Sequence, residues 1–64
     1  MPVIRVEMLK GRSGEQKRAA AEALTRAFIA SCGGTAQSVQ IIFTDVEKED
    51  WAVGGRLVSD SRPA

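Results

Sequence analysis

Small domains need something besides their core to hold them together, and this chain lacks two of the usual means. Its 64 residues include one cysteine, Cys32, and no histidine. A single cysteine forms no internal disulfide, and no cluster of cysteines has the spacing of a zinc site. A chain this short also leaves much of its apolar surface facing water. Because 44% of the residues are hydrophobic, we expect one domain, residues 1–64, that is stabilised by self-association.

Charge and hydropathy exclude several classes of partner. The formal net charge is +1, with acidic and basic residues interspersed, so no basic patch for nucleic acid is predicted. The apolar runs are too short to span a bilayer, and the first residues do not have the pattern of a signal peptide. A lone cysteine fits a reducing compartment. We therefore expect a cytoplasmic protein that binds neither nucleic acid nor membranes.

The hydrophobic pattern predicts a strand, a helix and a second strand. Residues 2–9 and 39–46 alternate in hydropathy and are rich in β-branched residues, which is typical of strands. Between them, Ser13 and Gln16 form a capping-box pattern that begins a helix, and a Gly-Gly pair at 33–34 ends it. The predicted apolar stripe of this helix is Ala20, Ala23, Leu24, Ala27, Phe28 and Ser31.

The end of the chain predicts a tight hairpin over residues 51–58, because the glycines at 54–55 tolerate positive φ. Residues 59–64 are expected to fray. A strand, a helix and a strand in this order suit a right-handed parallel crossover. The predicted fold is therefore α/β (α+β): a single β-α-β unit with parallel strands and a short C-terminal hairpin. Since a two-stranded sheet is not stable alone, we expect edge pairing with a second copy.

The usual catalytic side chains are nearly absent, which leaves Pro2. Without histidine, no Ser-His-Asp or Cys-His set can form. Removal of Met1, which a following proline favours, turns the Pro2 nitrogen into a free secondary amine. An α-amino group has an ordinary pKa of about 7.7–8.0, and burial or a nearby cation such as Arg12 lowers that pKa toward the range for proton transfer at neutral pH. The alternative interpretation is that Pro2 merely begins an edge strand, where its missing N–H costs nothing.

Two runs near the ends of the chain carry a family resemblance: PVIRVEMLKGRSGEQK (residues 2–17) and WAVGGRLVS (residues 51–59). The first looks like the start, and the second like the closing hairpin, of the 4-oxalocrotonate tautomerase family, also called the 2-hydroxymuconate tautomerases. The resemblance covers the whole chain, with the same length and order of elements. Its most specific part is Leu-x-Gly-Arg-Ser-x-x-Gln-Lys, together with a proline directly after the initiator.

The resemblance implies an isomerase that needs no cofactor. Pro2 matches the family's general base and acid, which moves a proton in an unsaturated 2-hydroxy or 2-oxo acid such as 2-hydroxymuconate. Arg12 matches the arginine that binds a substrate carboxylate, a role that a planar guanidinium suits. Trp51 matches an aromatic residue, usually phenylalanine, in the pocket wall, with Leu9 and Val53 as apolar neighbours. The resemblance also implies aromatic catabolism and a homohexamer, a trimer of dimers, whose sites are assembled from neighbouring subunits.

One position departs from the family's pattern. Members that process oxalocrotonate-type substrates carry a second arginine where this chain has Gln40. Glutamine donates a hydrogen bond without charge, and losing one such charged donor commonly costs ~10²–10³ in rate. Arg5 or Arg56 would supply the charge only if the fold brought it to the site, which the sequence does not decide. Two other functions stay open: a lyase or hydratase, which needs a carboxylate near Pro2, and a non-catalytic subunit of a mixed hexamer.

Overall fold

The computed structural model describes residues 1–61, and it contains the predicted elements in the predicted order. Within that range the strands and helices are β1 (Val3–Leu9), α1 (Gly14–Cys32), β2 (Gln40–Val46), β3 (Ala52–Val53), β4 (Arg56–Leu57) and α2 (Val58–Ser61). Short 3₁₀ turns, Ala36–Ser38 and Lys48–Asp50, lie before and after β2. The chain is thus a β-α-β unit that is followed by a hairpin and one helical turn.

Strands β1 and β2 pair in parallel, as predicted. The register runs from Val3 opposite Gln40 to Leu9 opposite Val46. A further backbone hydrogen bond of 2.9 Å extends the pairing at the start of the strands, where the Gln40 amide donates to the Pro2 carbonyl. Because the strands are parallel, both begin at one end of the sheet and both finish at the other.

The two ends of the sheet carry different candidate residues. The proline end is where both strands begin, and it consists of Pro2, Val3 and Gln40. The arginine end is where both strands finish, and it consists of Leu9, Val46 and the connection of residues 10–13, which contains Arg12. The candidate site residues divide between these two ends.

Helix α1 begins and ends where the sequence predicts. The Gln16 amide donates to Ser13 Oγ at 3.1 Å, and the Ser13 amide donates to Gln16 Oε1 at 2.9 Å. This pair of bonds is the predicted capping box. At the other end, the Gly33 amide donates to the Ile29 carbonyl at 2.8 Å, and Gly33 has a φ of 84°, which favours glycine.

The apolar stripe of α1 is only partly the predicted one. The half-buried helix residues are Lys17, Ala20, Ala21, Leu24, Thr25, Phe28 and Ile29. Ala23, Ala27 and Ser31, which were predicted in the stripe, are exposed. The helical spacing is right, but the side of α1 that faces the sheet is turned toward Thr25 and Ile29. The exposed alanines therefore remain uncovered in one protomer.

The sheet has one covered face and one open face. On the covered face, under α1, the half-buried side chains are Ile4, Val6, Met8, Ile41 and Phe43. The other face, which we call the open face, carries the exposed residues Val3, Arg5, Glu7, Gln40, Ile42 and Thr44. Val3 and Ile42 are 48% and 41% exposed, which is high for β-branched residues in strands. The alternation matches the prediction, and it leaves apolar surface without a partner inside the protomer.

The hairpin is confirmed, whereas the expected fraying is wrong for three residues. Strands β3 and β4 pair antiparallel around Gly54 and Gly55, whose φ values are 62° and 85°. Both glycines therefore have the positive φ that a tight two-residue turn needs. Residues 59–61 lie in α2 instead of a frayed tail, because the Val58 amide donates to the Trp51 carbonyl at 2.8 Å and anchors the start of that turn. Residues 62–64, the rest of that tail and of the expected domain, lie outside the described residues.

One protomer has no buried core within residues 1–60. Every side chain in that range is half-buried or exposed. The accessible surface is 4932 Å², compared with about 4,000 Å² expected for a compact monomer of this mass. The radius of gyration is 15.0 Å, compared with about 11 Å for a compact domain of this length. The protomer is therefore elongated and exposes surface that a compact domain of its size would bury.

Candidate active site

At the proline end, Gln40 lies beside the N-terminus. Pro2 is half-buried, and its carbonyl accepts the Gln40 amide hydrogen bond described above. The side-chain amide of Gln40 also donates to Met1 Sδ, with 3.0 Å between nitrogen and sulfur. The Gln40 side chain thus reaches the residue that is bonded to the Pro2 nitrogen. The structure therefore brings together two of the predicted site residues, Pro2 and Gln40.

At the arginine end, Arg12 lies directly before the capping box of α1. Gly11 has a φ of 141°, so the chain turns there from β1 toward the helix. Arg12 is exposed and lines a groove of about 280 Å³ between α1 and the covered face. The groove is otherwise lined mainly by apolar side chains, among them Val6, Met8 and Phe43. Arg12 therefore has a fixed backbone position and a guanidinium that reaches solvent.

Two ion pairs brace this same region of the described structure. Lys10 Nζ lies 3.2 Å from Glu47 Oε2, and both side chains are more than half exposed. Lys17 Nζ lies 2.6 Å from Asp45 Oδ2, and both side chains are more shielded. The first pair links the residues just after β1 and β2, and the second links the first turns of α1 to β2. Exposed pairs contribute at most about 1 kcal/mol, so their main effect here is to hold the connection that contains Arg12.

Trp51 lies near the arginine end as well, on the other side of the sheet. It is half-buried and lines a shallow groove of about 370 Å³ with Glu7, Val46, Asp50 and Ala52. The two carboxylates of this groove, Glu7 and Asp50, were not among the predicted site residues. The alternation of β1 already placed Glu7 on the open face, but only the fold brings Asp50 to the same groove.

The two remaining candidates, Leu9 and Val53, differ in exposure. Leu9 is the half-buried last residue of β1, opposite Val46. Val53 is 67% exposed on the hairpin. Neither lies at the proline end, so neither contacts Pro2 within one protomer.

One protomer does not bring Pro2 and Arg12 together. A strand rises about 3.3 Å per residue, so Pro2 and Leu9 are roughly 23 Å apart along β1. Arg12 lies three residues farther along the chain, beyond Leu9. That separation is far longer than an arginine side chain. A site that uses both residues therefore requires the proline end of one copy and the arginine end of another.

Two other kinds of feature are absent from residues 1–61. No group of three or more cysteine or carboxylate side chains there is arranged to hold a metal ion. No helix there is both long enough and apolar enough to cross a membrane.

The fold is that of a known class of small isomerases. TomN, a 4-oxalocrotonate tautomerase homologue in the tomaymycin biosynthetic pathway, superposes with a TM-score of 0.89 at 41% identity, over 92% of this chain and 91% of that one. A heterohexamer 4-oxalocrotonate tautomerase from Chloroflexus aurantiacus gives a TM-score of 0.89 at 37% identity, over 97% of this chain and 100% of that one. This class includes an oligomeric member whose particle contains more than one kind of chain.

Sequence comparison identifies the family. The family model described as tautomerase enzyme matches residues 2–61. The 2-hydroxymuconate tautomerase of Comamonas testosteroni is 42% identical over 55 residues, which cover 86% of this chain and 87% of that one. The chain belongs to the tautomerase family, and it is an isomerase.

Proposed function

We propose that this tautomerase acts on an unsaturated 2-hydroxy or 2-oxo acid similar to 2-hydroxymuconate, with the amino-terminal nitrogen of Pro2 as the general base and acid. Support comes from the family match, which begins at residue 2, and from the name of the relative from Comamonas testosteroni. Pro2 is also half-buried directly before β1, and its carbonyl accepts a hydrogen bond from the Gln40 amide of the neighbouring strand.

In the proposed reaction, a neutral Pro2 amine takes the proton of the 2-hydroxyl group. The substrate's 2-oxygen then forms a carbonyl, and the conjugated double bonds shift. The protonated amine returns the proton to a carbon atom of the same substrate molecule. The proton is conserved, and no oxidant, reductant or cofactor takes part. The amine must be neutral at the start, and burial in an apolar pocket disfavours its charged form.

The substrate's position follows from this proton transfer. The 2-hydroxyl must lie within hydrogen-bond reach of the Pro2 nitrogen, so the 2-hydroxy acid head binds at the proline end, beside Gln40. Arg12 of a second copy binds the far carboxylate of a dicarboxylate. Trp51, with Leu9 and Val53, excludes water from the pocket that the two copies share. The main support for a site shared between two copies is the length of β1, which puts Pro2 and Leu9 about 23 Å apart in one protomer.

We propose that the assembly is a homohexamer. The absence of any buried residue among residues 1–60 supports self-association, as does the protomer's surface, which is about 900 Å² larger than that of a compact monomer. That excess is similar to the roughly 800 Å² that each partner buries in a stable interface. Since one relative is a heterohexamer, the purified chain must be tested without any second chain. Activity and a hexameric mass by light scattering are expected from this chain alone.

The proposed role of Pro2 is tested by replacing it. Mass spectrometry of the native protein should give the mass of the chain without Met1. Pro2→Ala leaves a primary amine of different basicity and geometry, so turnover of 2-hydroxymuconate and phenylenolpyruvate should fall by about 10²-fold or more. Pro63→Ala, at the chain's other proline, is the matched control and should be as active as wild type. A retained Met1, or a Pro2→Ala variant with wild-type rates on both substrates, would refute the proline mechanism.

A further inference from the structure

We propose that Arg5 is a specificity-determining residue that supplies the positive charge which Gln40 does not carry. In this proposal, Arg5 and Gln40 together bind the carboxylate and the 2-oxygen of the substrate's head. The inference rests on the proposed function, because the head is placed by the Pro2 proton transfer.

The register of the sheet places Arg5 next to Gln40. Val3 is opposite Gln40, and Arg5 is opposite Ile42, so all four residues lie on the open face. With strands about 4.8 Å apart and a rise of about 3.3 Å per residue, Arg5 and Gln40 are diagonal neighbours with Cα atoms roughly 8 Å apart. Long side chains make contact across such a diagonal. The guanidinium of Arg5 can therefore reach the space next to the Gln40 amide.

That space lies at the proline end, because the Gln40 backbone amide donates to the Pro2 carbonyl at 2.9 Å. The side-chain amide of Gln40 donates to Met1 Sδ, so it can reach an acceptor at this end of the sheet. Once Met1 is removed, this side-chain amide is free to donate to a substrate. A substrate oxygen in the place of the sulfur accepts the hydrogen bond from Gln40.

Charge and solvation fit an anion at this position. Arg5 is exposed, and the two ion pairs found within the described range involve other residues. Its neighbours on the open face are Val3 and Ile42, which are 48% and 41% exposed and would exclude water once covered, and the carboxylate Glu7, two residues farther along β1. Neither of those two ion pairs joins Arg5 to Glu7. A guanidinium presents two parallel donors to a carboxylate, and such charge-assisted bonds are about twice as strong as neutral ones. Arg5 therefore supplies a charged donor, and Gln40 a neutral donor, to the same anionic head.

If Arg5 binds the head, its loss should affect every substrate that has this head. The head, a carboxylate next to a 2-hydroxy or 2-oxo group, is common to dicarboxylates such as 2-hydroxymuconate and monocarboxylates such as phenylenolpyruvate. Loss of Arg5 should therefore affect both substrates to a similar extent. Loss of a residue that binds the far carboxylate should affect the dicarboxylate alone.

The test compares Arg5→Gln, Gln40→Arg and the double variant, with Arg18→Gln as a control on an exposed helical arginine. Arg5→Gln should lower kcat/KM by about 10²-fold on both substrates, and Arg18→Gln should leave it unchanged. Gln40→Arg should add less than about 3-fold to the wild type, because Arg5 already supplies the charge. In the Arg5→Gln background, the same Gln40→Arg change should restore most of the lost activity.

The opposite pattern would overturn the proposal. If Arg5→Gln assembles as the wild type does by light scattering and keeps its activity, Arg5 does not bind the head. If Gln40→Arg raises the wild-type rate by about 10²-fold, no other residue supplied the charge; this result needs no change at Arg5, so it decides the question even if Arg5→Gln does not assemble. Failure of the proposed function is seen separately, as full activity of Pro2→Ala.

Discussion

The two ends of the parallel sheet differ in how they are held. At the arginine end, the capping box, the Lys17–Asp45 pair and the bond from the Val58 amide to the Trp51 carbonyl fix the backbone around Arg12 and Trp51. At the proline end, the described hydrogen bonds to residues 1–2 both come from Gln40. A single protomer thus holds Arg12, the candidate for binding a carboxylate, in a fixed backbone position. The surroundings of Pro2, in the proposed assembly, are completed by other copies.

The two ends of β1 would therefore have different roles, with proton transfer at the proline end and binding of the far carboxylate at the arginine end. In the proposed mechanism, the proline end removes and returns the proton and holds the substrate's head, while the arginine end of another copy binds its far carboxylate. Each protomer would then contribute to at least two sites. Such a division would explain how a chain with no buried residue among residues 1–60 forms a defined pocket, because the contacts that stabilise the proposed particle would also close the site.

The largest effect that separates the two ends is expected at Arg12. Arg12→Gln removes the charged donor for the far carboxylate, so kcat/KM for 2-hydroxymuconate should fall by about 10²-fold. Phenylenolpyruvate has no far carboxylate and should lose less than about 3-fold. Steady-state kinetics with both substrates, and with Arg18→Gln as control, measure the difference. Equal losses on the two substrates would show that the two ends do not bind separate parts of the substrate.

A smaller effect is expected at Trp51. Trp51→Ala removes apolar contact worth on the order of 1–2 kcal/mol, so KM should rise by about 10-fold. Water that enters the pocket favours the charged form of the Pro2 amine, so its pKa should rise. The neutral amine is the active form, and the limb of the pH–rate profile on which activity increases should therefore move to higher pH. Trp51→Phe keeps an apolar ring and should retain the wild-type profile; an unmoved profile in Trp51→Ala would place Trp51 away from Pro2.

The smallest effect concerns the capping box that directly follows Arg12 in the chain. Ser13→Ala removes half of the capping box and should lower the free energy of unfolding by about 1 kcal/mol. Urea unfolding at fixed protein concentration measures this loss, since the stability of an oligomer depends on concentration. Ser31→Ala is the control, because Ser31 Oγ bonds to the Ala27 carbonyl within the same helix. A Ser13→Ala variant no less stable than Ser31→Ala would mean that the cap does not stabilise this end.

The sequence predicted the local features of this fold well. The capping box at Ser13, the glycine stop of α1 and the hairpin around residues 54–55 depend on neighbouring residues, and all three are confirmed. Alternation likewise identified the two faces of the sheet. The stripe of α1 was only partly right, because the side of a helix that meets a sheet depends on packing. Residues 59–61 were missed because a single helical turn has little signal of its own.

The candidate site was predictable in its residue types but only partly in its arrangement. The resemblance to the family assigned roles to Pro2, Arg12 and Trp51, and these roles remain predictions. The predicted strand over residues 2–9 already put Pro2 and Arg12 at opposite ends, and β1 (Val3–Leu9) confirms that strand. The sequence could not place Arg5 next to Gln40, since that relation depends on the register between two strands that are far apart in the chain.

Complementation between two inactive variants tests the shared site most directly. Pro2→Ala and Arg12→Gln chains are unfolded, mixed in equal amounts, refolded together and assayed with 2-hydroxymuconate. If each site takes Pro2 from one copy and Arg12 from another, random assembly gives about a quarter of the sites both native residues, so about a quarter of the wild-type activity should return. If the refolded mixture is no more active than the two variants assayed separately, both residues act within one chain and the account is contradicted.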